Sequence, residues 1–132
     1  MKNIVILLTF LFCASSFAQS NLLEVHFEKQ KKEHHYSIKK DQKKKNSYIF
    51  SFINEKRKVK NKHITSKQFE QIKNEATRLL WANQFRKPAS FENCKEYMTL
   101  IIENEKTRVC QQNNNLTGRS YGFLNSLNNL IK

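Results

Sequence analysis

At 132 residues, with a formal charge of +13, two glycines and one proline, the chain has material for one domain and none for a flexible interdomain linker. The balance of 24 Lys plus Arg against 11 Asp plus Glu disfavours cationic partners. No CxxC redox pair and no G-x-S-x-G nucleophile elbow occurs, the only glycines being Gly118 and Gly122.

Met1-Lys2-Asn3 leads into the apolar run Ile4 to Phe12 and then into Cys13-Ala14-Ser15-Ser16-Phe17-Ala18-Gln19. This is the layout of a secretory signal peptide, with Ser16 and Ala18 as the small residues that signal peptidase reads, and cleavage is expected after Ala18. A spanning helix needs about 20 apolar residues, more than this run supplies. Acylation of Cys13, as in a lipoprotein, would want a small residue where Phe12 stands. The expected organisation is therefore a cleaved leader over residues 1–18 and a single α+β domain over 19–132, exported to a periplasm or beyond, with no transmembrane segment after processing. Loss of Lys2 takes the formal charge to +12.

Leu23, Val25 and Phe27 alternate with Glu24, His26 and Glu28, the period of a half-buried strand, and His34, Tyr36 and Ile38 repeat it as a hairpin partner. Asp41 to Asn46 reads as a solvated turn. Tyr48, Phe50 and Phe52 mark the next strand, and Lys56 to His63 a charged edge strand with Val59 pointing inward. A helix starts after Thr65, with Gln68 completing a capping box and Ile64 poised as a staple on Phe69. Phe69, Ile72, Ala76, Leu79, Leu80 and Asn83 form one stripe along it, Trp81 lies off that stripe, and Pro88 stands beyond its end. Tyr97 to Ile102 and Thr107 to Gln111 form a second hairpin about Asn104-Glu105, and Phe123 to Ile131 a closing helix. The fold class is α+β: a small antiparallel sheet of two hairpin units, with two helices packed on one face and one disulfide.

With Cys13 gone, Cys94 and Cys110 are an even pair in an exported chain, which argues for a disulfide. The expected turn sets Cys110 opposite Thr99, so bridging requires the segment before Tyr97 to fold back. Neither cysteine is expected to be catalytic.

Between Lys29 and Lys67 stand 14 basic residues against three acids. The anion-binding candidates are Lys39, Lys40, Lys43, Lys44, Lys45, Lys56, Arg57, Lys58 and Lys60, on turns expected to crowd together at one end of the sheet. Lysine outnumbers arginine there, which favours diffuse attraction to phosphate or carboxylate over base-specific reading. Of the four histidines, His34 and His35 point to opposite faces of a strand, and His26 faces His34 across the first hairpin. No metal, no cofactor and no catalytic residue is expected from this set. Asn115-Leu116-Thr117 is a glycosylation sequon only in a eukaryotic host.

Three functions follow. The first is a non-enzymatic binding or accessory module turning its lysine-rich face to an acidic protein, an envelope polymer or lipid head groups, with nucleic acid bound only nonspecifically. The second is a structural envelope protein whose charge confers solubility. The third, a metal-independent secreted nuclease using His26 or His34 with nearby lysines, has the least support.

Overall fold

The computed structural model describes residues 20–84, 94–110 and 117–132. The expected leader with Cys13, the segment carrying Pro88 and Phe91, and the sequon residues Asn115 and Leu116 lie outside the described residues. The elements run β1 (Leu23–Lys29), β2 (Lys32–Lys40), β3 (Ser47–Ile53), β4 (Val59–Thr65), α1 (Ser66–Gln84), β5 (Glu96–Ile102), β6 (Glu105–Cys110) and α2 (Thr117–Ile131). The α+β class holds, and the hairpin units join into one six-stranded sheet of order β4-β3-β2-β1-β5-β6. Every neighbouring pair is antiparallel, and β5 returns beside β1.

Alternation along each strand divides the sheet. Leu23, Val25, Tyr36, Ile38, Phe50, Met98, Leu100, Ile102 and Val109 face the helices and form one core with Phe69, Ile72, Ala76, Leu79 and Leu80 of α1 and Phe123, Leu124 and Leu127 of α2. Both helices thus cover the same face. The other face carries Glu24, His26, Glu28, His35 and Ser37, together with the half-buried Ile49, Ile53 and Ile101.

α1 begins as its sequence requires. The Thr65 amide donates to Gln68 Oε1 (2.9 Å) and the Gln68 amide donates to Thr65 Oγ1 (3.2 Å), a reciprocal capping box worth about 1 kcal/mol. Trp81 is exposed, in keeping with its place off the buried stripe. Val59 is a correction. It is 57 % exposed, because Ile64 sets the inward parity of β4, so Val59, Asn61 and His63 share the outer face.

The last hairpin is also corrected. Its two-residue turn is Glu103-Asn104, both at positive φ (49° and 69°), so Cys110 pairs with Tyr97, not with Thr99. That shift brings Cys110 close to the start of β5, and Cys94 and Cys110 form the expected disulfide at a Cα separation of 5.9 Å.

Glu96, buried at the start of β5, links three elements: the Tyr121 hydroxyl of α2 donates to its Oε2, and Lys29 of β1 lies 2.9 Å from its Oε1. The Tyr121 hydrogen bond first, and Lys29 second, hold its carboxyl below the ordinary range. A carboxyl depressed in the folded state stabilises the fold above its unfolded value, near pH 4.3, and loses that contribution as pH falls through the folded value. The expected result is that the urea midpoint falls with acid below about pH 5 more steeply in the parent than in Glu96→Gln. An identical profile in the variant would remove Glu96 from the cause.

Candidate functional site

The basic residues reach the surface through two loops, each organised by one short polar side chain. In the β2–β3 turn, buried Asp41 accepts the Lys43 amide on Oδ1 at 2.8 Å and lies 3.2 Å from His63 Nδ1 through Oδ2. The Lys43 amide is the main cause holding the Asp41 carboxyl below its usual range. An aspartate that closes the turn on its own backbone fixes the loop, leaving Lys43, Lys44 and Lys45 exposed at its tip and Lys39 and Lys40 at the end of β2. In the β3–β4 turn, Asn54 Oδ1 accepts the amides of Lys56 (3.0 Å) and Lys58 (2.9 Å), and Arg57 takes positive φ at 56°. Lys56, Arg57 and Lys58 are all exposed.

These loops do not crowd at one end of the sheet. Consecutive turns of an antiparallel meander fall at alternate ends, and β3 (seven residues, about 20 Å long) separates them. The Lys56–Lys58 loop shares its end with the β1–β2 turn, and the Lys43–Lys45 loop stands at the other. What joins them is β4, an edge strand on which Lys60 and Lys62 are exposed. The sequence-derived set therefore becomes a band running the length of one sheet edge. Among the described residues, none of Lys45, Lys56, Lys58, Lys60 and Lys62 lies within ion-pair distance of a carboxylate. Lys62, one of the 14 basic residues between Lys29 and Lys67, completes the band.

The histidines are rearranged by the first turn. Gln30 and Lys31 both take positive φ (48° and 67°) and close a two-residue hairpin, which pairs His26 with His35 and Phe27 with His34. His26 and His34 consequently occupy opposite faces, which separates the two residues named for nuclease chemistry. His34 packs edge-on to Phe52 on the helix side, with ring centroids 5.5 Å apart. On the outer face the His26 and His35 rings stack at 4.1 Å and 15°. Glu24 stands beside them, its Oε1 accepting from Asn21 Nδ2 at 2.8 Å while its Oε2 lies 3.3 Å from His26 Nε2 and 3.7 Å from His35 Nε2. The Asn21 hydrogen bond is the largest cause lowering the Glu24 pKa; burial, and then the charge of His26, lowers that of His35.

Two further hollows lie on the helix side. One of about 540 Å³ between α1 and α2 is lined by Glu75, Arg78, Arg119 and Phe123 among others, and another near the end of α2 by Phe52, Lys60 and Asn128. The first also holds Ser126, whose hydroxyl donates to the Gly122 carbonyl at 3.1 Å and not to Glu75. No helix among the described residues is long and apolar enough to cross a membrane. Comparison with known proteins finds no matching family model, no similar curated protein and no similar solved structure.

Proposed function

We propose that this protein is a small exported binding or accessory module, not an enzyme, that presents the β4 edge to an anionic partner: an acidic protein, an envelope polymer or lipid head groups. The observation that carries the reading is the band itself. Two ordered lysine loops are linked by a lysine-bearing edge strand, which sums like charges into a continuous positive field about as long as the sheet is tall. Lysine dominates the band, although Glu55 stands in its β3–β4 loop and lies 3.6 Å from Lys32. The apolar leader, the Cys94–Cys110 disulfide and the absence of a membrane-spanning helix among the described residues are compatible with export. Lysine, a compact point charge, suits diffuse attraction to phosphate or carboxylate groups.

The test compares two triple variants of equal charge on an immobilised sulfated polysaccharide. Lys45, Lys58 and Lys60 to glutamine removes charge from the band; Arg78, Lys106 and Arg119 to glutamine removes it from α1, β6 and α2. The band variant should flatten the slope of log affinity against log salt by about three, roughly one for each lysine neutralised, while the control stays near the parent. Equal losses in both would mean that only net charge matters, and would return the protein to the structural reading.

A further inference from the structure

The geometry points to a binding site for a late first-row divalent cation, of the zinc or copper class, on the outer sheet face, held by Glu24 Oε2, His26 Nε2 and His35 Nε2. The site uses none of the lysines of the basic band, although His35 shares a hollow with Arg57 of the β3–β4 loop.

Three observations converge there. The three ligand atoms lie within 4.8 Å of one another, and the separations from Glu24 Oε2 to the two imidazole nitrogens, 3.3 and 3.7 Å, approach the roughly 3.3 Å edge of a tetrahedron with bonds near 2.05 Å. Among the described residues His35 Nε2 is buried without a hydrogen-bond partner, an arrangement that is unfavourable unless something coordinates the nitrogen. Glu24 is oriented from outside the cluster, because Asn21 occupies Oε1 and leaves Oε2 to the histidines, as outer-shell partners do at metal centres.

The surroundings favour a cation in a protein that otherwise repels one. Glu28 and Glu33 are directly paired across β1 and β2 next to the His26–His35 pair and on the same face. Like charges placed opposite one another destabilise a sheet. In a chain with 24 basic residues and 11 acidic ones, three carboxylates, Glu24, Glu28 and Glu33, share this face with the two histidines. A hollow of about 100 Å³ beside the cluster, lined by His26, Glu28, Glu33 and His35 and also by Arg108, which stacks on Tyr97, gives room for an ion with water in its remaining positions. Two imidazoles and a carboxylate are borderline ligands suited to zinc or copper and poorly suited to magnesium or calcium. Coordination requires the stacked rings to tilt so that their lone pairs converge, which gives the site a spectroscopic signature.

The experiment titrates zinc chloride, in competition with a chromophoric chelator, into purified protein carrying no histidine tag. One equivalent should bind, and Glu24→Gln and His35→Gln should each weaken it by at least about tenfold, while His34→Gln and His63→Gln bind as the parent does. In NMR spectra of the unsubstituted protein, zinc should move the ring signals of His26 and His35 and abolish the ring-current shift of their stack, a readout that does not depend on any variant folding. Absence of saturable binding, parental affinity in a His26→Gln/His35→Gln double variant, or shifts centred on His34 or His63 would overturn the site.

Discussion

Replacing Cys94 and Cys110 together by alanine lowers the stability of the fold by about 3 kcal/mol, the value for removing a crosslink that closes a loop of this length. Alanine is the informative substitution, because both positions are buried and a serine hydroxyl there would add a desolvation cost of its own. Small domains are stable by only about 5–15 kcal/mol, so the loss is a large share of the total and corresponds to a fall in Tm of about 12 °C. Reduction of the unsubstituted protein with a thiol should produce the same shift in a calorimetric scan. The effect is also local. The bridge ties the β5–β6 hairpin at its open end, so hydrogen exchange should accelerate first in Met98, Leu100 and Val109 and last in β2 and β3. Coincident melting of reduced and oxidised protein would show that the bridge closes on a segment already held by packing.

Where the sequence could be read correctly, the reading rested on signals confined to one element. The 3.6-residue stripe of α1 and the Thr65–Gln68 capping box lie within one contiguous stretch, and both appear as expected. The alternation in β1, β2 and β3 was likewise enough to place Val25, Tyr36 and Phe50 in the core. Register was not readable, because the turns that set it carry no glycine. Two-residue hairpins with both central residues at positive φ ordinarily use Asn-Gly or Asp-Gly; here Gln30-Lys31 and Glu103-Asn104 do it instead. Each such residue costs about 1–2 kcal/mol locally, a cost offset by pairing on both sides that no local pattern reveals.

The pairing of the histidines traces to that cause. A change of one in the sum of paired positions replaces His34 by His35 as the partner of His26, which turns two histidines on opposite faces into a stacked pair beside Glu24. Val59 is a separate case: Ile64 both belongs to β4, where it fixes the inward parity, and shares the core with Phe69 at the start of α1, so the strand's parity is set by a residue that the local pattern ties to the helix. The lysine loops were identified by composition, but composition does not say that successive turns of a meander face opposite ways. The β4 edge unites them only once the strand order is known.

Substituting Tyr36 should separate packing from hydrogen bonding at the centre of the fold. Its side chain is 1 % exposed, its ring lies 5.0 Å from Phe52 and 6.2 Å from Phe50, and its hydroxyl donates to Asn128 Oδ1 at 2.8 Å. Burial, opposed by the Asn128 hydrogen bond, pushes its pKa up to about 12. Tyr36→Ala empties the space of an aromatic ring between sheet and helices and should cost about 4 kcal/mol, within the range for large aromatic truncations. Tyr36→Phe keeps the ring and removes only the hydroxyl. Its partner Asn128 is exposed and regains water, so this change should cost about 1 kcal/mol or less. Urea denaturation of both variants, with Asn128→Ala and the double variant Tyr36→Phe/Asn128→Ala, closes a cycle whose coupling energy reports the hydrogen bond alone. A coupling near 1 kcal/mol, the ordinary net worth of such a bond, means that α2 is held to β2 by the polar interaction as well as by Leu127 and Phe123. A coupling of zero, with Tyr36→Ala still costly, means that α2 docks through its apolar stripe and that Asn128 contributes nothing to its placement.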